Sequence, residues 1–228
     1  MRIKINCKLE ADVVSTEYRR ALISFLKCVL ITYNKRIFEK YYGNNQEKDF
    51  SFSCFFHIDF VKDNIIYLKD KKFHITFSFF DSNEALLFIN AFNNVKEKKF
   101  TLFENNFKII DVVIEKEAKI KNRIKCKTLS PIIIRDFNNN YISLADEKGK
   151  EILINKLNSI LKHVDLPDNI EIEDINIKQK PIHFYKNIKM ISSIGTFTLI
   201  GDSKSLDYIY KIGLGSRRKA GFGMIDVI

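Results

Sequence analysis

Tryptophan is absent from this chain of 228 residues, and both proline, with three residues, and glycine, with eight, are scarce. The four cysteines lie far apart and none forms a C-x-x-C pair, so the common zinc and redox motifs are missing. Cys7, Cys28, Cys54 and Cys126 are typical of small buried residues in a reducing compartment. No carboxylate, histidine or cysteine cluster has metal-ligand spacing, so neither a metal nor another cofactor is expected.

A long apolar run is also missing. No segment approaches the roughly 20 apolar residues that a membrane-spanning helix needs. The first residues, "MRIKINCKLE", alternate like a strand and lack the apolar centre of a signal peptide. We therefore expect a soluble cytoplasmic protein that does not contact a membrane.

Positive charge is in excess. Lysine and arginine number 38 against 28 acidic residues, which gives a formal net charge of +10. This sign favours polyanionic partners such as RNA, DNA or an acidic surface, without choosing among them. A codon bias toward isoleucine, lysine and asparagine is the alternative explanation.

The apolar pattern alternates between strand and helix spacing and predicts β-α-β-β-α-β twice. In the first half, the strands are "RIKINCKL", "DFSFSCFFHIDF", "KKFHITFSFF" and "NNFKIIDVVIEKE", and the helices run from Leu22 to Phe38 and over "SNEALLFINAFNNV". In the second half, a long strand "IKNRIKCKTLSPIIIRD" leads to "KEILINKLNSILKHV", two further strands, a short helix and a final strand. The predicted fold class is α+β, with tandem ferredoxin-like domains over residues 1–118 and 119–228.

Four of the eight glycines lie in one stretch near the end, "KIGLGSRRKAGFGMIDVI". It follows a predicted helix and leads into a strand, which excludes the strand-to-helix turn of a dinucleotide site, and the Gly-Lys-Ser/Thr ending of a P-loop is missing. The glycine pairs and the intervening Arg217, Arg218 and Lys219 suit phosphate binding. A tight helix-to-strand connection, in which glycine only relieves crowding, is the alternative.

The spacing Gly-x-Gly, five residues, Gly-x-Gly closely resembles the C-terminal signature of the CRISPR-associated repeat-processing endoribonucleases of the RAMP superfamily. The segment "TLSPIIIRD" is similar to the start of that family's second domain. The resemblance implies one or two ferredoxin-like folds. It also implies a partner, CRISPR repeat RNA, with a CRISPR effector complex as a further candidate, and we expect a monomer or a weak homodimer. The predicted RNA-binding residues in the loop are Gly213, Gly215, Ser216, Arg217, Arg218, Lys219, Gly221 and Gly223.

The resemblance also implies a reaction. Family members cut precursor CRISPR RNA without a metal, by attack of a ribose 2′-OH on the adjacent phosphate, which leaves a 2′,3′-cyclic phosphate and a 5′-OH. Their general base is usually a histidine near the end of the first helix, and "RIFEKYYGNNQEKDFSFS" contains none. The catalytic candidates at that place are Lys40, Tyr41, Tyr42 and Lys48, where cations could lower a tyrosine pKa.

His57 is a further catalytic candidate, because strand alternation sets it on the face opposite Phe56 and Ile58. The alternative for the helix-end residues is that the tyrosines end a helix and the lysines are solvated. A relative that binds repeat RNA without cutting it is then the rival function. A general single-strand binder that stacks bases on aromatic rings is a third hypothesis, which the core positions of most phenylalanines disfavour.

A basic stripe enters the second half. Alternation in "KIKNRIKCK" sets five cations on one strand face: Lys119, Lys121, Arg123, Lys125 and Lys127. We predict that Arg123 and Lys125 contact RNA phosphates. A solvated sheet edge is the alternative.

Overall fold

Two βαββαβ units account for the chain. The computed structural model describes residues 1–43, 49–184 and 188–228, without the side chains at positions 183, 184, 188 and 189. One compact unit comprises Met1–Lys48 and Cys54–Glu115, and the other comprises Asp49–Ser53 and Lys116–Ile228. A five-residue segment early in the chain therefore packs with the second unit.

The first unit contains six strands. Its elements are β1 (Arg2–Leu9), β2 (Val13–Ser15), α1 (Tyr18–Tyr33), α2 (Lys35–Phe38), β3 (Phe50–Lys62), β4 (Ile65–Phe79), α3 (Ser82–Asn93), β5 (Phe100–Leu102) and β6 (Asn105–Glu115). The sheet order is β2-β4-β1-β6-β5, and β3 pairs with β4. The four main strands thus run β3-β4-β1-β6, the antiparallel arrangement of a ferredoxin-like fold, as predicted.

Aromatic rings fill the core of this unit. On β1, the buried residues Ile3, Ile5 and Cys7 alternate with polar residues, so one sheet face is apolar. Phe25 of α1 packs edge-to-face on Phe107 of β6, with ring centroids 5.0 Å apart. The other sheet face, called the outer face below, carries the polar residues.

The second unit repeats the same order. Its elements are β7 (Arg123–Thr128), β8 (Ile134–Arg135), β9 (Tyr141–Ile142), α4 (Glu147–His163), β10 (Glu171–Phe184), β11 (Ile188–Ile200), α5 (Ser203–Ile212) and β12 (Ile225–Val227). The main sheet has the order β10-β11-β7-β12, and β8 pairs with β9. Its core is largely aliphatic, with Leu153, Leu157 and Leu161 at helical spacing on the buried side of α4.

Two predicted elements are broken in the structure. The helix expected to run to Phe38 ends at Tyr33, because Asn34 is extended and its side chain accepts a hydrogen bond from the Arg36 amide, which starts α2. A wide helical turn over Glu39–Gly43 follows. The long strand predicted before residue 136 also ends early, at Thr128, and the next two amides, of Leu129 and Ser130, donate to the Met224 carbonyl.

In the part of the chain that the structure describes, no helix is long and apolar enough to cross a membrane. Across the same residues, no three histidine, cysteine or acidic side chains come together in a way that could hold a metal ion.

Candidate functional site

The glycine loop, residues 213–223, joins α5 to β12 through an unusually close backbone path. All four of its glycines have positive φ angles, between 74° and 81°. A Cβ on Gly223 would lie 1.9 Å from the Leu214 carbonyl oxygen, and one on Gly215 would lie 2.4 Å from the Ile133 oxygen. Both positions therefore require glycine for conformation and for space.

Several amides of the glycine loop donate hydrogen bonds inside the protein. Leu214 N–H donates to Gly223 O at 2.8 Å, and Gly223 N–H donates to Pro131 O at 2.9 Å. Ser216 N–H donates to Ile133 O at 2.7 Å. The Ser216 and Gly223 amides hold the loop to the segment after β7, and the Leu214 amide closes the loop on itself.

The two arginines of the loop differ. Arg218 is only 7% exposed, and its Nη1 donates to the Ile212 carbonyl oxygen at 3.1 Å, closing the end of α5. Arg217 is half-buried, adopts the left-handed conformation with φ 61°, and its Nη2 donates to the Tyr141 hydroxyl at 3.3 Å. Ser216 and Lys219 are also half-buried. Arg217 and Lys219 are thus the loop cations nearest to solvent.

The predicted basic stripe is present over part of its length. Strand β7 begins only at Arg123, so its exposed face carries Arg123, Lys125 and Lys127. The Arg123 guanidinium is already paired with Glu173 at 2.8 Å and Asp174 at 3.1 Å. Lys125 is exposed on the same face.

The helix-end candidates face inward or are paired. Lys40 Nζ lies 2.6 Å from Glu84 Oε1. Tyr41 is 2% exposed, and its ring packs edge-to-face on Phe88 with centroids 5.2 Å apart. The Tyr41 ring is therefore part of the core of the first unit.

Tyr42 does not show the lowered pKa that a tyrosine base would need. Its ring stacks on Phe38 at 5.9 Å, and Lys27 Nζ lies 5.3 Å from the ring centroid. Burial nevertheless raises the Tyr42 pKa well above its usual value, so the hydroxyl stays protonated at neutral pH. Lys48 lies outside the described residues.

His57 has a different setting on the outer face of the first sheet. Its Nδ1 is 2.7 Å from Asp70 Oδ2, and both side chains are well exposed. The other oxygen of Asp70 accepts a hydrogen bond from the Lys72 amide at 2.7 Å. The hydrogen bonds from His57 and Lys72 hold the Asp70 pKa below its usual range. The carboxylate is thus ionised, and it holds the imidazole through Nδ1.

Two further side chains complete this part of the face. Phe55 of β3 meets the His57 ring edge-to-face at 5.2 Å and stacks on the His74 ring at 5.1 Å. Burial, and next the charge of Lys4, lowers the His74 pKa, so this ring is neutral at pH 7. An open pocket of about 470 Å³ lies beside these rings, lined by Phe55, His57, His74, Asn6, Cys7, Lys8, Lys72, Phe73, Ile110 and Asp111.

Sequence reasoning named His57 as a catalytic candidate, but not Asp70, His74 or Phe55. The period-two pattern of two adjacent strands carried the missing signal, because it sets Phe55 and His57 on one face of β3 and His74 on the same face of β4. The hydrogen bond to Asp70 depends on how those strands pair, which no local pattern states.

Comparisons with known proteins agree with this architecture. A family profile described as CRISPR associated protein Cas6, C-terminal, matches residues 114–227. A CRISPR-associated endoribonuclease-like protein Cas6 of Pyrococcus furiosus is 26% identical over 148 residues. That alignment spans 58% of this chain and 59% of the length of the relative.

Solved structures share the fold over the whole chain. The structure of a Cas6-related protein from Pyrococcus furiosus has a TM-score of 0.87 at 20% identity, covering 100% of this chain and 98% of the other. A RAMP protein described as binding different RNA substrates also has a TM-score of 0.87, at 18% identity, covering 100% and 99%. At these identities, the likeness concerns the fold.

Proposed function

This chain belongs to the Cas6 family of CRISPR-associated proteins, and from that membership we propose that it binds CRISPR repeat RNA and cuts precursor CRISPR RNA within each repeat. The proposal places the protein in the cytoplasm, where that RNA is made, with a CRISPR effector complex as a candidate later partner. The named relatives support an RNA substrate by family likeness, and the net charge of +10 is of the right sign.

The proposed reaction uses the RNA itself as nucleophile. A base removes the proton of a ribose 2′-OH, the 2′-oxygen attacks the adjacent phosphorus, and the bond from phosphorus to the 5′-oxygen breaks. An acid returns a proton to that 5′-oxygen, which leaves a 2′,3′-cyclic phosphate and a 5′-OH. This transesterification balances without a metal ion or a cofactor, and cations need only stabilise the charge of the phosphorane.

The His57–Asp70 pair is the observation that carries the catalytic part of the proposal. An exposed imidazole held at Nδ1 by an ionised carboxylate is an arrangement that histidine general acids and bases use. The helix-end group of Lys40, Tyr41, Tyr42 and Lys48 is the competing arrangement. The inward position of Tyr41 and the raised pKa of Tyr42 weigh against a tyrosine base there.

RNA binding in this proposal extends to the second unit. Arg217 and Lys219 of the glycine loop and Lys125 of β7 would contact phosphates, whereas Arg218 would hold the loop in shape. The glycines Gly213, Gly215, Gly221 and Gly223 would act by fixing the backbone path from which those side chains project.

The test is cleavage of the cognate repeat RNA in the presence of EDTA, followed by analysis of the product ends. We expect a cyclic phosphate and a 5′-OH. Loss of cleavage in EDTA, with recovery on adding Mg²⁺, would contradict the metal-free reaction. Tight binding without any cut would instead support the rival function, a repeat-binding protein that has lost its chemistry.

A further inference from the structure

Three lysines lie side by side across the outer face of the first sheet. In the strand register, Lys8 of β1 is directly opposite Lys72 of β4 on one side and Lys108 of β6 on the other. We call these three residues the lysine row. Like charges directly opposite each other destabilise a sheet. The charges of Lys72 and Lys108 help to lower the pKa values of the nearby Asp70 and Glu10 carboxyls. Lys8 stands between these two like charges, an arrangement that an anion over the row makes favourable.

The next row across the same face is polar and flat. Asn6 of β1 is opposite both His74 and Asp111, and its amide donates to Asp111 Oδ1 at 2.5 Å. Beside this row, Phe55 stands 49% exposed with the neutral His74 ring stacked against it. An exposed ring next to amide and imidazole groups provides an apolar surface together with hydrogen-bonding groups.

This combination matches one class of ligand. Single-stranded nucleic acid presents a flat base, which stacks on aromatic rings, and a phosphate within a few ångströms, which pairs with lysine. Double-stranded RNA buries its base faces and cannot use Phe55. An apolar peptide would meet the lysine row without compensating charge.

We infer that the outer face of the first sheet is a binding platform for single-stranded RNA, with a base stacked on Phe55 and backbone phosphates over the lysine row. This inference rests on the proposed function for its RNA substrate and assigns to that substrate a contact surface within the first unit. The platform holds a nucleotide beside the His57–Asp70 pair. Phe55, Lys8, Lys72 and Lys108 are binding residues in this scheme, and His74 supports the Phe55 ring.

The absence of tryptophan allows a direct optical test. Phe55→Trp introduces the single indole of the protein, and a base that stacks on it quenches its emission. Phe60→Trp is a matched control, because Phe60 belongs to the same strand, is also 49% exposed, and stacks on Tyr67 outside the pocket. With single-stranded tetra-uridylate and tetra-adenylate as probes, we expect saturable quenching at position 55 and none at position 60.

Two further probes decide what kind of ligand the surface takes. Quenching by adenosine monophosphate at the same concentration as by tetra-adenylate would overturn the inference in favour of a mononucleotide pocket. Displacement of the tetranucleotide by polyglutamate of equal charge would overturn it in favour of charge attraction alone. The platform is supported if quenching needs a higher concentration of adenosine monophosphate than of tetra-adenylate, and if polyglutamate does not displace the bound tetranucleotide.

A second variant tests the lysine row without relying on fluorescence. Lys8→Gln should weaken binding of single-stranded RNA severalfold and reduce the slope of log K against log salt by about one. The same change removes the central like charge, so the urea midpoint of the free protein should stay equal or rise. A lower midpoint with unchanged RNA affinity would show that Lys8 serves the fold and would overturn its assigned role.

The binding platform and the proposed function can be contradicted independently of each other. If the unmodified protein binds and cuts repeat RNA but no RNA probe changes the fluorescence emission of the Phe55→Trp variant, the platform is wrong and the proposed function stands. If the emission is quenched but repeat RNA is neither bound tightly nor cut, the platform stands and the proposed function is wrong. Phe55→Ala provides a check on the first case, since loss of stacking should weaken binding by about tenfold.

Discussion

The glycine loop of the second unit and the outer face of the first sheet both carry cations, but they use their polar groups in opposite ways. In the loop, the amides of Leu214, Ser216 and Gly223 and the guanidinium of Arg218 bond to the protein's own carbonyl groups. On the outer face, His57 and Lys8 project from regular strands. Asp70 orients the His57 ring, and Lys72 lies directly opposite Lys8. A motif that is conspicuous in the sequence can thus serve the fold, whereas an inconspicuous strand pattern can present the chemistry.

The largest expected effect would test the structural side of this comparison. Gly223→Ala places a methyl group 1.9 Å from the Leu214 oxygen in a residue with φ +74°. We expect a loss of roughly 3 kcal/mol or more in the free energy of unfolding, from backbone strain and overpacking together. Denaturant unfolding followed by circular dichroism measures it.

Gly43→Ala is the control for that change. The nearest atom to a Cβ at this position is Glu39 Cβ at 3.6 Å, so space is available. The free energy of unfolding should change by about 1 kcal/mol or less. Equal losses at both positions would show that crowding at Gly223 is not what the loop depends on.

Replacing the imidazole on the outer face tests the chemical side. His57→Ala should lower the single-turnover cleavage rate of repeat RNA by about 100-fold, as expected on loss of a general acid or base. Binding of the same RNA, measured by filter retention, should change much less. His163→Ala, at an exposed helix end in the second unit, is the matched control.

Tyr42→Phe distinguishes the competing arrangement. Its hydroxyl is held protonated by burial, so removing it should slow cleavage far less than His57→Ala does. The reverse ranking of the two rates would move the active site to the end of the first helix.

A smaller effect would separate the adjacent arginines of the loop. Arg218→Met removes a buried charge-assisted hydrogen bond to Ile212 O and should cost about 2 kcal/mol of unfolding free energy. Arg217→Gln should instead weaken RNA binding and reduce its salt slope by about one. If both variants lose affinity equally at unchanged stability, the distinction between the two side chains is wrong.

The smallest effect concerns protonation of His74. Because its pKa is lowered in the folded state, the unfolded chain binds that proton more readily, and stability should fall as pH drops below about 6.5. His74→Gln should lose less stability than the parent protein between pH 7 and pH 5. An NMR titration of the ring, assigned by the same variant, should give a pKa below 6.5; a higher value would contradict the burial of this ring.

The fold was predictable because its periodic signals are long. Alternation in β1 and helical spacing in α4 specify which face is buried, and the βαββαβ order follows from their sequence. The break at Asn34 was missed, since an asparagine inside an apolar helical pattern looks tolerable until its side chain caps the next turn. The site was less predictable, because the His57–Asp70 bond and the lysine row are properties of strand pairing.

The membership of Asp49–Ser53 in the second unit has a consequence for biosynthesis. Phe52 is buried and packs against Gly221, which is synthesised 169 residues later. At roughly 5–20 residues per second, Phe52 is synthesised on the order of ten seconds before this partner. The contacts between this strand segment and the glycine loop therefore form only after most of the second unit has been synthesised.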